Sequence, residues 1–322
     1  MERVIEPPVL ARHRETSWSL TAAFVVMVAV FAIAPFVLYP VFLMKALCFS
    51  LFACAFNLLI GYVGLISFGH AMFFGWASYV TAYAAKSWGW PPELAIIGGT
   101  AAAAVLGIVA GSLAIRRQGI YFAMITLALA QMLYFFALQA KFTGGEDGIQ
   151  GVPRGHLFRI FDLSNEMTMY FFILVVFLAG FLLIYRIINS PFGEVLKAIR
   201  ENEQRAISLG YKTERYKLVA FVLSATLAGL AGSLNSLVFQ LASLTDVHWS
   251  MSGDVVLMTL LGGLGTVFGP VAGAFLVIAM QNYLAPFGQW VLVIQGAIFV
   301  VCVLLFRRGI VGELAQVLRV QL

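Results

Sequence analysis

Ten runs of apolar residues divide the chain, at 18–39, 41–60, 66–85, 93–115, 119–139, 168–188, 217–238, 253–267, 268–285 and 289–306. Most approach the roughly 20 residues that a helix needs to cross the hydrocarbon core of a bilayer. Strands of a transmembrane barrel would give shorter, alternating segments. The pattern therefore predicts an all-α integral membrane protein, a polytopic helix bundle of about 8–10 membrane segments. The first run, Trp18 to Tyr39, is too long for the hydrophobic stretch of a signal peptide and reads as a span.

The eighth and ninth runs are short and are broken around Gly262-Gly263-Leu264-Gly265 and Gly269-Pro270. They read as two full crossings or as a re-entrant pair, because non-helical backbone is tolerated at membrane depth where protein or a polar cavity surrounds it. A second glycine-rich break, Gly61-Tyr62-Val63-Gly64-Leu65-Ile66-Ser67-Phe68-Gly69-His70, has a similar composition. Transporters place such breaks in corresponding positions of two halves. Glycine in membrane helices also permits close packing, so both readings stand.

Charge orients the bundle. Fifteen of the 20 Lys and Arg residues fall in the N-terminal tail, the loop at Arg116-Arg117, the segment from Arg186 to Lys217 and the C-terminus. The other five, Lys45, Lys86, Lys141, Arg154 and Arg159, fall on the opposite side. The excess of positive charge marks the cytoplasmic face, which puts both termini inside. The chain then divides into a cytoplasmic tail (1–17), one transmembrane domain (18–306) and a second cytoplasmic tail (307–322). Within the domain, 140–167 is an external loop and 189–216 a cytoplasmic segment.

Composition agrees. Hydrophobic residues make up 61% and charged residues 11% of the chain, against about 45–50% and about 25% in soluble domains. The net charge of +5 does not point to nucleic acid, since no basic cluster with interleaved aromatics forms a binding face. The expected surroundings are membrane lipid. Cys48, Cys54 and Cys302 lie inside apolar runs without metal-ligand spacing and read as packing residues.

No phosphate-binding G-x-x-x-x-G-K-[ST] loop, H-E-x-x-H or G-x-S-x-G motif occurs, and the four histidines are far apart. An enzyme is therefore not expected. The cytoplasmic segment carries the clearest pattern. Ser190-Pro191 reads as an N-cap followed by proline at the first helical position. Phe192, Val195, Leu196, Ile199, Ala206 and Leu209 then recur at helical spacing among charged residues. One amphipathic helix, or two short ones, either rests on the lipid interface or docks into a groove on a cytoplasmic partner.

Within the apolar runs the polar side chains are few. Asn57, Ser67, His70, Thr126 and Gln131, with Gly263 and Thr266 of the second break, are candidates to line a translocation path. Gln281, Asn282 and Gln295 complete the polar set. The competing reading for each is a bond between helices. His70 closes the first break and is the leading path candidate. No acid lies centrally in a run, which disfavours ion coupling. Asp254, after Ser252, reads as a helix-start carboxylate complementing the dipole. Gly144–Gly148 reads as a turn or as a contact for an external partner.

These stretches carry a resemblance. Phe56 to Ala71, Gly119 to Ala128, Thr143-Gly144-Gly145 with Gly148 and Pro153, Ala198 to Ala206 with Leu209-Gly210, and Leu261 to Pro270 are similar to the permease subunits of branched-chain (hydrophobic) amino acid ABC importers, in their LivM-like branch. The resemblance implies a LivH-like second permease, two cytoplasmic ABC ATPases and an external solute-binding protein. It implies that no cofactor binds this chain, with ATP and Mg held by the ATPases, and that the protein lies in the bacterial inner membrane. Residues 191–215 then become a coupling segment, with Arg200, Glu201, Asn202, Glu203, Arg205, Ala206 and Gly210 as contacts to the ATPase. Against the E-A-A-x-x-x-G loop of ABC permeases, Ala206 and Gly210 stand at the third and seventh positions, while Gln204 and Arg205 replace Glu and Ala. A urea or short-chain amide importer of the same architecture is the nearest alternative, and an ATP-independent carrier a more distant one.

Overall fold

A computed structural model describes residues 9–158, 161–288, 290–306 and 309–317. In chain order the helices are α1 (Val9–Ile33), α2 (Pro40–Tyr62), α3 (His70–Ser87), α4 (Pro92–Ala114), α5 (Ile120–Gln139), α6 (Glu166–Ile188), α7 (Pro191–Glu201) and α8 (Glu203–Ser208). There follow α9 (Thr213–Phe239), α10 (Leu244–Val247), α11 (Trp249–Gly262), α12 (Gly269–Leu284), α13 (Trp290–Leu305) and α14 (Gly309–Val317). Each of the ten apolar runs is a helix, and among the described residues six helices are long and apolar enough to cross a membrane. This is the polytopic all-α bundle that the pattern predicts.

Local chemistry sets the helix starts. Proline stands in the first turn of α2, α4, α7 and α12, where its missing N–H costs nothing. Asn165 begins α6 by accepting from Met167 N–H at 2.9 Å. The predicted Ser190 cap accepts from Gly193 N–H at 3.3 Å.

The bundle is built around α9, which packs on α2, α3 and α4. Small residues make this possible. Gly232 faces the Phe74 backbone, Gly229 faces Ala103, and Gly107 of α4 faces Ala225. Backbones that approach this closely gain dispersion and leave no room for larger side chains. On the outer side, strands β1 (Ile149–Gln150) and β4 (Leu241–Ala242) pair antiparallel, and β2 (His156–Leu157) pairs with β3 (Phe161–Asp162). Arg154 donates to the last carbonyls of α9, Leu237 O at 3.2 Å and Val238 O at 2.7 Å. Gly144 takes φ +79°, so the Gly144–Gly148 stretch forms a turn beside β1.

The eighth run differs from a plain crossing. Helix α11 has 14 residues, only about 21 Å long against a core of about 30 Å. After α9 the chain turns back into the bundle. Val247 packs against Gly75 in the body of α3, and the Ser252 hydroxyl accepts from Ala71 N–H at 2.9 Å. Thus α11 starts below the outer end and runs to the inner face, where α12 returns. One expectation needs correcting here. Asp254 does not cap this helix, since α11 begins five residues earlier with His248 as its N-cap. Part of the C-terminal tail is helix α14, packed on α11 and α12. Gly309 (φ +74°) makes that turn against Gly262 and Gly263. At the other end α1 reaches back to Val9, into the expected tail. Residues 1–8, 307–308 and 318–322 of the two tails lie outside the described residues, as does Arg159.

Candidate functional site

The three sequence features that drew attention meet at one place on the inner side. Helix α7 ends at Glu201, and Arg200 in its last turn donates from Nη1 to the carbonyl of Gly61. The stem of the same side chain lies against Gly64 (φ +81°), where an added Cβ would stand 3.2 Å from Arg200 Cγ. Its Nη1 also lies beside Gly265 (φ +74°) of the second break. A cation from the cytoplasmic segment therefore sits between both glycine breaks.

Asn57 closes the junction from within. Its Oδ1 accepts from Gly265 N–H at 3.0 Å, and its Nδ2 donates to Thr266 O at 2.9 Å. Breaking a helix at depth frees backbone groups that need partners, and this amide supplies two of them. Thr266 continues the work. Its hydroxyl donates to Gly263 O at 2.8 Å and accepts from Gly269 N–H at 3.1 Å, which starts α12. Gly263 takes φ +125°, a conformation that side-chain-bearing residues rarely adopt.

The other path candidates lie in the first break and α5. His70 is fully buried, edge-on to Phe56, Phe73 and Phe221. The Ser224 hydroxyl donates to Ala55 O at 2.5 Å, so it accepts from His70 Nε2 at 2.9 Å. That assigns the proton to Nε2 and leaves Nδ1 a buried acceptor with no partner among the described residues. Ser67 is buried and accepts from Gly69 N–H at 3.3 Å. Thr126 is buried and donates to Ala123 O at 2.9 Å, with its own carbonyl against Gly69. Gln131 is half-buried one turn further along α5. Hence Ser67, His70 and Thr126 form a neighbourhood around Gly69, while Asn57, Gly263 and Thr266 form the junction below.

The segment expected to couple folds as two short helices. Asn202 Oδ1 accepts from Arg205 N–H at 3.0 Å and so begins α8. Glu203 pairs with Lys217 of α9 at 2.5 Å, and the Lys217 side chain is only 4% exposed. Ala206 is buried beneath α8, whereas Glu201, Arg205 and Gly210 (φ +90°) face outward. Ile207, Leu209 and Tyr211 are exposed beside them. A groove of about 860 Å³ runs along α7, lined by Phe192, Val195, Tyr211 and Tyr216 among others.

The comparisons with known proteins bear on this arrangement. Residues 39–303 match the family described as branched-chain amino acid transport system / permease component. The chain belongs to that family. The high-affinity branched-chain amino acid transport system permease protein LivM of Escherichia coli (strain K12) is 27% identical over 280 residues, which cover 79% of this chain and 65% of that relative. LivM of Salmonella typhimurium is 25% identical over 282 residues, again 79% of this chain and 65% of the relative. The ribose import permease protein RbsC of Bacillus subtilis is 28% identical over 188 residues, covering 56% of this chain and 58% of that one. The chain thus spans slightly less than two thirds of the LivM proteins it matches. No solved structure matches. With six helices among the described residues long and apolar enough to cross a membrane, this family member is a multi-pass protein of the inner membrane.

One part of the permease escapes the sequence pattern. Lys45 of α2 reads as an external flank, yet it faces a cavity of about 360 Å³ shared with Asp246 of α10, Asp254 of α11 and Gln281 of α12. Ionisable groups thus line a cavity between the helices, which the runs alone did not reveal. Their signal was present as a single lysine in the second turn of an apolar run. Among the described residues no group of three His, Cys, Asp or Glu side chains could hold a metal ion.

Proposed function

We propose that this permease is the membrane-spanning subunit of an ATP-driven importer for branched-chain or other hydrophobic amino acids. The observation that carries the proposal is the junction at Arg200. A cytoplasmic segment with an outward apolar tip is tied by one side chain to two breaks in membrane helices. Such a segment can pass movement from a soluble partner into the bundle. The names of the LivM relatives supply the solute class.

Two cytoplasmic ABC ATPases bind ATP and Mg, and α7 and α8 dock on them through Arg200 to Gly210. A LivH-like second permease completes the pathway, and an external binding protein delivers the solute. ATP binding draws the ATPases together and the coupling helices follow. The breaks at Ser67–His70 and Gly262–Gly269 then shift, the path opens outward, and hydrolysis resets it. Asn57, Thr126 and Gln131 shape the path walls beside these breaks. Strains lacking the chain are tested for uptake of labelled leucine, isoleucine, valine, phenylalanine, urea and acetamide at low micromolar concentration. Selective loss of the hydrophobic amino acids is expected. Loss of urea or acetamide alone would keep the architecture and overturn the solute class.

A further inference from the structure

The outer cavity offers more than a gap between helices. It lies near the outer ends of α2, α9 and α12, and its volume of about 360 Å³ falls in the range of roughly 300–1,000 Å³ for small-molecule sites. One wall is charged. Lys45 takes part in none of the ion pairs among the described residues, which are His156–Asp162, Lys197–Glu194 and Lys217–Glu203. Among the described residues its ammonium makes a cation–π contact, 5.9 Å above the Phe49 ring.

The facing carboxylates are each partly satisfied. Asp246 Oδ2 accepts from Ser243 N–H at 3.3 Å, and Asp254 Oδ2 accepts from Gln281 Nε2 at 3.2 Å. Each has acceptor capacity left over. Neither lies within ion-pair distance of Lys45. A fourth group gives independent support. Asn235 lines the same cavity, is 4% exposed, and its Oδ1 has no hydrogen-bond partner among the described residues. Buried polar atoms are seldom left unpaired without a ligand or water to meet them. The remaining walls are apolar, from Phe49, Phe239 and Met251.

A cation and two anions held apart within one cavity, beside an apolar wall, match a molecule that carries both charges and a hydrocarbon side chain. We infer that this cavity binds the zwitterionic head of an aliphatic α-amino acid on its way into the bundle. Lys45 receives the carboxylate, Asp254 and Asp246 receive the ammonium, and Asn235 Oδ1 accepts a further ammonium hydrogen. Charge-assisted bonds of this kind are short and strong where water is sparse. Phe49, Phe239 and Met251 take the side chain. This inference rests on the amino-acid reading above and names the site within it.

The test uses the full chain assembled with its partner subunits in lipid nanodiscs, without the binding protein. Saturation-transfer NMR reads leucine touching the complex, with leucinamide and isocaproate as probes that each lack one charge. The leucine signal is expected to fall about tenfold in Lys45→Met and in Asp254→Asn. In the unaltered complex each probe should compete about tenfold more weakly than leucine. If Lys45→Met does not assemble, Asp254→Asn carries the comparison, since its amide still accepts from Gln281.

An unchanged leucine signal in the assembled variants, or none from the unaltered complex, overturns the site. So does a variant that keeps the leucine signal but no longer docks the binding protein, because the cavity would then receive a protein surface. Leucine uptake by cells carrying the unaltered chain is measured in parallel. Uptake without a dependence on the site leaves the transport reading standing alone, and no uptake overturns the transport reading itself.

Discussion

Arg200 donates to the carbonyl of Gly61, a residue 139 positions earlier in the chain. The bond joins the last turn of a cytoplasmic helix to the end of a membrane helix, with Gly265 of a second membrane helix pair alongside. A charged donor on a backbone carbonyl is stronger than a neutral one. Gly64 against the Arg200 stem and Gly265 beside its guanidinium both have positive φ, so the fit depends on the absence of side chains there.

Arg200→Ala should therefore uncouple the transporter without unfolding it. The lost contact is a single charge-assisted bond, worth about 1.5–3 kcal/mol, in a protein whose core is elsewhere. Leucine uptake should drop about tenfold or more, while the assembled complex still elutes intact. ATPase activity should also stop responding to the loaded binding protein. Uptake that stays within about twofold of the parent would remove Arg200 from the coupling path.

Asn57 is the structural counterpart on the membrane side. Asn57→Leu keeps the branched shape and the number of side-chain heavy atoms but strands Gly265 N–H and Thr266 C=O inside protein. Each stranded group costs about 1–3 kcal/mol. Thermal unfolding in detergent should show a lower midpoint for Asn57→Leu than for the conservative Asn57→Gln. Equal midpoints for the two variants would mean that water or another group satisfies the break.

How far the sequence carried the reading depends on the range of each interaction. The helices were legible because apolar runs of bilayer length have few other solutions. The segment from Ser190 was legible because capping and 3.6-residue periodicity are local signals. The meeting of Arg200 with Gly61 and Gly265 was not, since contacts across 139 residues leave no period in the chain. The descent from Leu241 to His248 was also hidden, as a short polar link looks the same whether it crosses the surface or dips into a bundle. The surroundings of Lys45 were hidden for a related reason. A lysine near the end of an apolar run usually extends to the interface, and only the packing of α10, α11 and α12 around it reveals a cavity.

Glu203 and Lys217 tie the α7–α8 segment to α9 through a nearly buried pair. Removing one partner of such a pair leaves an uncompensated charge, at a cost of about 3–5 kcal/mol. Lys217 is 4% exposed and Glu203 19%, so Glu203→Ala should be the more harmful single change. The double variant Glu203→Gln with Lys217→Met should recover most of the unfolding midpoint, because the charge is then gone from both sides. A double variant no more stable than Glu203→Ala would show that the pair acts through something other than burial of charge.

The outward tip of α8 makes the last and most direct prediction. Leu209 is 70% exposed and Ile207 47% exposed, on a segment whose other outward residues are charged or polar. Apolar residues grouped on an otherwise polar face mark a contact surface, and truncating a central apolar anchor removes about 2 kcal/mol or more of binding. Leu209→Asp should leave the permease in the membrane, with its own unfolding midpoint unchanged, because the side chain touches solvent and not the core. Recovery of the ATPase on affinity-tagged permease should fall about thirtyfold. Arg205→Pro should give the same loss by a different route, since proline in this six-residue helix removes the N–H that Asn202 accepts. If both variants still co-purify with the ATPase at the parent level, α8 is not the docking element, and the groove along α7 becomes the place to look.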